Sequence, residues 1–253
     1  MPTADSKTGK APVPVLYLTT ELAMGGAERA LLHLLTNLNR ERFNPTVACL
    51  YNGDGVVAQA IQALDIPVYD AQMRGKANLG ALSRLYQHIG SQRPTILHTN
   101  LFHANLPGRI TGRLVGVPII ISSERTMAME SEWRYWLNRW TIGMVDRVVA
   151  VSKKVGEFCI NHIRLPAHKV VVIHNGVEIP PFSPYAIEQA RQVLGIPQEA
   201  LVCGAVSRLE LVKGIDDLIL AFAQVRETHD VHLVIVGDGS QRERLVSLAQ
   251  GTG

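Results

Sequence analysis

Four short segments carry residue types that could do chemistry. The first is Met24-Gly25-Gly26-Ala27-Glu28, between an apolar run at residues 15–20 and a helical pattern. Adjacent glycines let the backbone approach a ligand closely, and the free N–H groups of a helix start favour a phosphate. Glu28 falls in the first helical turn, where the helix dipole favours a carboxylate. An ordinary strand-to-helix turn has the same composition, so the segment alone leaves both readings open. The second is Ser207-Arg208-Leu209-Glu210-Leu211-Val212-Lys213-Gly214, again after a strand and before a helix. There Arg208 can grip phosphate oxygens as a fork while Lys213 adds a point charge, at the strand edge where open α/β sheets bind ligands. Two solvated surface charges is the plainer reading.

The third segment is Leu97-His98-Thr99-Asn100-Leu101-Phe102-His103-Ala104-Asn105. His98 lies within a strand and reads as a packed, hydrogen-bonded residue. His103 follows the strand end, where a loop or helix start can present it to a cleft, although a lone histidine is more often structural. The fourth is Trp133, Trp136, Leu137 and Trp140, at i, i+3, i+4 and i+7, a helical stripe holding all three tryptophans, with Arg134 and Arg139 off it. Burial in the core is the default reading of such a stripe, and a membrane-interface helix the sharper one. No G-x-G-x-x-G follows the first strand and no G-x-x-x-x-G-K-[ST] occurs, which removes the main support for nicotinamide chemistry and excludes a phosphate-loop NTPase.

The elements that must position these residues alternate in type. Short apolar runs at 15–20, 46–51, 67–69, 95–99, 118–122, 147–151 and 170–173 read as strands, with helical patterns between them, such as 27–39 and 79–92. Strand-helix alternation with short connections implies a parallel sheet covered on both sides. Residues 174–184 (HNGVEIPPFSP) hold three prolines and a glycine and read as a linker. A new cycle follows: helix 185–194, strand 202–206, helix 215–226, strand 232–236, helix 241–249. The expected division is a loose tail at 1–13, a Rossmann-like domain at 14–178, a linker with connecting helix at 179–198, and part of a second domain at 199–253. Two strand-helix units are few for a doubly wound domain of about 100 residues or more, so the second domain reads as incomplete.

Of 253 residues 47% are hydrophobic and 19% charged, enough for a substantial core. Cys49, Cys159 and Cys203 are widely spaced, with no C-x-x-C, which argues against a zinc site or disulfide framework and fits a reducing compartment. No signal peptide and no stretch of about 18 apolar residues is evident, so the expectation is a cytoplasmic protein without a membrane span. Residues 1–180 carry 19 Lys and Arg against 13 Asp and Glu, and the remainder 6 against 9. That basic excess is too diffuse for a nucleic-acid binder and better suits an anionic small acceptor or an anionic membrane surface.

Taken in order, GGAE, HTNLFHAN, VVAVS, VIHNGVE, SRLELVKG and LVIVGDG resemble the motifs of the retaining GT-B glycosyltransferases, the group 1 or family 4 type found in bacterial polysaccharide synthesis. The resemblance covers residues 15–249. It implies a GT-B fold of two Rossmann-like doubly wound parallel-sheet domains, the second incomplete here. It implies transfer of a hexose from a nucleotide-diphosphate sugar to a glycan, lipid or small-molecule acceptor, with retention of configuration. Gly25 and Gly26 would face the donor diphosphate from the first domain, and Arg208 and Lys213 would neutralise it from the second. His103 matches a catalytic-side histidine of the first domain, Asn175 and Gly176 a hinge between domains, and Gly237 and Gly239 a turn near the nucleotide. Asn100 stands where many relatives carry a second histidine, and Ser207 where glycine is usual. The family's paired glutamates, eight residues apart, would lie beyond Gly253, which makes the chain read as C-terminally truncated.

Transfer from a nucleotide sugar requires that charge developing on the departing diphosphate be stabilised. The other major glycosyltransferase fold does this with a metal held by D-x-D. No two aspartates here are spaced i, i+2, so Arg208, Lys213 and helix N-termini are expected to meet the charge without a metal or other cofactor. The expected partners are a nucleotide sugar, a glycan or lipid-linked acceptor and, peripherally, the inner face of a membrane, and not nucleic acid. Two other readings stand beside this one: a sugar-nucleotide epimerase of the same architecture, and a catalytically incompetent chain acting only as a binding module.

Overall fold

The apolar run that opens the fold forms β1 (Val13–Thr19), and its alternate side chains enter two different cores. Val15 and Tyr17 pack with Leu31 and Leu35 of α1 (Gly26–Thr36) and with Val57, Ala58 and Ile61 of α2 (Val56–Gln62). Leu16 and Leu18 pack with Leu85 and Ile89 of α3 (Leu79–Gln92) and Ala104 of α4 (Phe102–Val115). Period-2 alternation with helices on both faces is why this strand is apolar throughout and not alternately polar.

The structure, a computed structural model, describes residues 11–73, 75, 78–127, 132–179, 181 and 183–252. Of the expected tail only residues 11–13 are described, and β1 already begins at Val13. The chain divides into two compact units, Met1–Glu178 and Ile179–Gly253. In the first, β1 is joined by β2 (Phe43–Cys49), β3 (Val68–Asp70), β4 (Ile96–Asn100), β5 (Ile119–Glu124), β6 (Arg147–Ala150) and β7 (Val170–Val172). All neighbours are parallel, in the order β3-β2-β1-β4-β5-β6-β7. The order reverses between β1 and β4, which places the crevice for a ligand at their carboxyl ends.

A third core, beside β6, joins Tyr135 of α5 (Glu132–Thr141) to Val155 and Cys159 of α6 (Lys153–Asn161). Here the sequence expectation fails. Trp133, Trp136 and Trp140 are 55%, 57% and 64% exposed, and α5 instead buries Tyr135, Asn138 and Thr141. The reason lies on α4. Arg109 is 1% exposed; its Nε donates to Ser122 Oγ (2.9 Å), and its Nη1 to Asn138 Oδ1 and to Thr141 Oγ1 (3.1 Å). A buried guanidinium without acceptors costs several kcal/mol, roughly, so the helix turns its polar i, i+3 pair inward and leaves the indoles outside.

In the second unit, α7 (Pro184–Val193) is capped by Ser183, whose Oγ accepts from Ala186 N at 3.3 Å. It precedes β8 (Leu201–Val206), α8 (Ile215–Arg226), β9 (Val231–Val236) and α9 (Arg242–Gly251). β8 and β9 form a two-stranded parallel sheet. Leu209, Ile215, Ile219 and Leu245 make its small core. Among the described residues, no helix is long and apolar enough to cross a membrane.

Candidate active site

Gly25 is the N-cap of α1, in an extended conformation and without a side-chain cap. A side chain at this position would collide with the Glu28 carboxylate, which folds back beneath it. Glu28 is buried, and desolvation raises its pKa against the lowering by its own backbone N–H; Glu21 raises it further and Arg125 lowers it. The anion-favouring start of α1 is thus already met by the protein's own carboxylate. At Gly26 a Cβ would meet nothing within 4 Å, so that backbone is open to approach.

Across the switch point, β4 ends at Asn100 and Leu101 turns the chain with φ 68° and ψ 153°. Such a conformation is nearly confined to glycine and costs about 1–3 kcal/mol in any other residue. It throws Phe102 and His103 onto the first turn of α4. His103 is exposed and lines a cavity of about 130 Å³ with Phe102, Glu124, Arg134, Tyr135 and Asn138 among others. Its Nε2 lies 3.4 Å from Arg134 Nη2. His98, by contrast, points into the sheet: its Nε2 is 2.7 Å from Ser123 Oγ, and burial, with help from Arg125, pulls its pKa down to about 4.

The floor of the cavity is a buried polar network. Glu124 Oε1 accepts from Asn105 Nδ2 (3.1 Å) and Asn138 Nδ2 (3.2 Å), and lies 3.7 Å from Arg109 Nη2. Burial pulls the Arg109 pKa down to about 10, opposed by Glu124, so the guanidinium stays charged at neutral pH. Beside it, Arg125 donates through Nη1 to Asn175 Oδ1 at 2.9 Å. Burial lowers the Arg125 pKa while Glu28 raises it. Arg125 therefore joins the start of α1 to the segment after β7, where Asn175 and Gly176 lie exposed just before the division between units.

Glu124, Arg125 and Arg109 were not singled out from the sequence. Ending β5 at Ser122 left Glu124 and Arg125 in an anonymous turn, although SSER directly after an apolar run is the same strand-edge signal that marked the other segments. Arg109 sits mid-helix, and nothing in the sequence marks it as buried.

In the second unit, the loops after β8 and β9 press against each other. Leu209 N donates to Asp238 O (2.8 Å), and Gln241 N donates to Leu209 O (2.9 Å). A side chain at Gly237 would collide with Ser207 O, and one at Gly239 would come within 2.5 Å of Leu209 O. The two glycines are thus needed where the backbones touch, directly beside Arg208. Arg208 and Lys213 are both exposed, and Lys213 closes a single 3₁₀ turn before Gly214 (φ 59°) starts α8. Between them Glu210 accepts from Ser240 Oγ at 2.8 Å, a bond that holds its carboxyl below its usual value. The second unit therefore gathers Arg208, Lys213, Gly237 and Gly239 at one sheet edge, while Gly25, Gly26, His103, Asn175 and Gly176 follow strand ends of the first.

Comparison with known proteins fits this arrangement. Residues 24–179 match the family described as Glycosyltransferase Family 4, and residues 186–253 match Glycosyl transferases group 1. The UDP-Gal:alpha-D-GlcNAc-diphosphoundecaprenol alpha-1,3-galactosyltransferase of Escherichia coli is 25% identical over 248 residues, covering 92% of this chain and 64% of that protein. The crystal structure of Anabaena Alr3699/HepE in complex with UDP superposes with a TM-score of 0.79 at 22% identity, over 95% of this chain and 65% of that one. The UDP-GlcNAc 2-epimerase of Neisseria meningitidis, bound to UDP-GlcNAc, gives a TM-score of 0.60 at 15% identity, over 94% and 70%. The chain thus spans just under two thirds of the length of the first two proteins. Those structural likenesses are ones of fold, the GT-B architecture. With more than half of its length matched by that first family, the chain belongs to Glycosyltransferase Family 4.

Proposed function

We propose that this protein transfers a hexose from a nucleotide-diphosphate sugar to a glycan, lipid or small-molecule acceptor, with retention of configuration and without a metal. The observation that carries the reading is the pair of interlocked loops in the second unit. Gly237 and Gly239 hold the neighbouring backbone in place on either side of Arg208, and Lys213 follows one turn later. Two exposed cations on braced loops at strand ends suit a diphosphate leaving group, whose charge grows as the glycosidic bond breaks. His103, beside its cavity, is then the residue on the sugar and acceptor side. The E. coli relative's name and the Anabaena complex make UDP-hexoses the first donors to try.

Titration calorimetry with UDP should give measurable heat, undiminished by EDTA. Replacing Arg208 or Lys213 with alanine should weaken binding roughly 10- to 100-fold, the range for losing a hydrogen bond to a charged group. Unchanged affinity in both variants would remove the clamp. Incubation with UDP-glucose or UDP-galactose and no acceptor separates the epimerase reading, since an epimerised donor would replace the transferase assignment.

A further inference from the structure

We propose that the tryptophan face of α5 docks on the surface of an anionic phospholipid bilayer. Single exposed apolar residues are ordinary, but three indoles on one stripe form a contiguous patch of the kind that marks an interaction site. Trp136 and Trp140 stack with ring centroids 6.2 Å apart, and Trp133 continues the stripe to the helix start. The opposite face of α5 is already committed to Arg109 through Asn138 and Thr141, so the helix cannot roll to bury the indoles. Their exposure is built into the packing.

Composition and charge identify the occupant. Indoles combine an apolar body with an N–H donor and favour the headgroup region, where one side is oily and the other wet. Arg139, half-buried, lies within three positions of both Trp136 and Trp140, where it can meet a lipid phosphate, while Arg134 turns toward Phe102 and His103. The first unit as a whole carries 19 Lys and Arg against 13 Asp and Glu, the sign that an anionic leaflet attracts. Ten residues make a helix of roughly 15 Å, half the thickness of a hydrocarbon core, so α5 lies along the surface and does not cross it.

The stripe also adjoins the His103 cavity. Phe102 meets Trp133 edge-on at 6.2 Å, and the Arg134 guanidinium lies over both rings, 5.1 Å from Phe102 and 5.5 Å from Trp133. Phe102, His103 and Arg134 line the cavity. A docked α5 holds its mouth at the headgroup level, where a lipid-anchored acceptor is found. This last step rests on the proposed function; docking itself does not.

All three tryptophans of the chain lie on α5, so intrinsic fluorescence reports this face without a label. The full chain is mixed, without sugar nucleotide, with vesicles of phosphatidylglycerol and phosphatidylcholine or of phosphatidylcholine alone. Docking predicts a blue-shifted emission and protection from acrylamide with the anionic vesicles, weakened by salt, and co-flotation of the protein. The double variant Trp136→Ser/Trp140→Ser should lose about tenfold or more in vesicle affinity, with its thermal melt unchanged because both side chains are exposed. Unshifted emission with anionic vesicles overturns the proposal, as does undiminished flotation of the double variant. A blue shift that grows with protein concentration in the absence of lipid, together with a dimer in sedimentation, assigns the face to a second copy and overturns it too. Because no donor or acceptor is present, failure here leaves the transferase reading intact, and an inactive transferase leaves this result intact.

Discussion

His98 and His103 are five residues apart, yet they occupy opposite regimes. His103 is exposed beside a cavity, whereas His98 is packed against Tyr17 and bonded to Ser123 with its pKa pulled down to about 4. The folded imidazole stays neutral down to that value, while in the unfolded chain it takes up a proton near 6.5. Between those limits the unfolded state binds more protons. The stability contributed by His98 is therefore complete above about pH 6.5 and is lost as the pH falls toward 4. Urea unfolding of the wild type and of His98→Gln across this window should show the wild type declining more steeply. The difference in slope should be at most about 1.4 kcal/mol per pH unit. Parallel curves would mean that His98 is not held neutral. Position relative to the strand end already sets the two apart in the sequence, His98 inside β4 and His103 beyond it, and the fold places each accordingly.

At the scale of elements, most strands were legible because a parallel strand buried on both faces is a short apolar run between polar turns. Helix α3 has the boundaries its helical pattern gives, and the structure adds the Asn78 cap, whose Oδ1 accepts from Ala81 N at 3.0 Å. Helix α5 was misread for a physical reason: hydrophobic periodicity assumes that the apolar face is the buried one. Here the buried face answers to Arg109, a charge on another helix 25 or more positions away in sequence. Glu124 and Arg125 were missed through a boundary placed two residues early. Helix α4 shows how tightly the site is held against the sheet. A Cβ on Gly108 would lie 2.5 Å from Thr99 Cγ2 and 2.8 Å from Leu18 Cδ2. Thr99 cannot yield, because its hydroxyl is bonded to Asn105 (2.7 Å) and Ser122 (2.9 Å). Gly108→Ala gains up to about 1 kcal/mol of helix propensity and loses roughly 1–3 kcal/mol to overpacking. We expect a net loss of about 1–2 kcal/mol, measured as a lower urea midpoint. A more stable variant would show that α4 can lift from the sheet freely.

Over the whole molecule, burial is unequal. The first unit holds three hydrophobic cores, whereas in the second Leu201, Val206 and Val212 are 64%, 83% and 84% exposed. Local opening concentrates where few apolar contacts oppose it. Brief digestion with a broad-specificity protease should cut within residues 174–183 and then consume the second unit, leaving a resistant fragment that ends near residue 178. Protection extending to residue 252 would show that the second unit is as stable as the first.

Because every strand of the large sheet runs the same way, the connections sort by direction of travel. Turns leaving strands carry Gly25, His103 and Arg125, whereas turns entering strands, such as residues 37–42 and 93–95, emerge at the far rim. The two rims therefore tolerate change unequally. A fluorophore or peptide tag grafted at residues 39–41 sits a full strand length from the rim that carries Gly25, His103 and Arg125, which makes that bend the place to attach a reporter or tether the protein to a support.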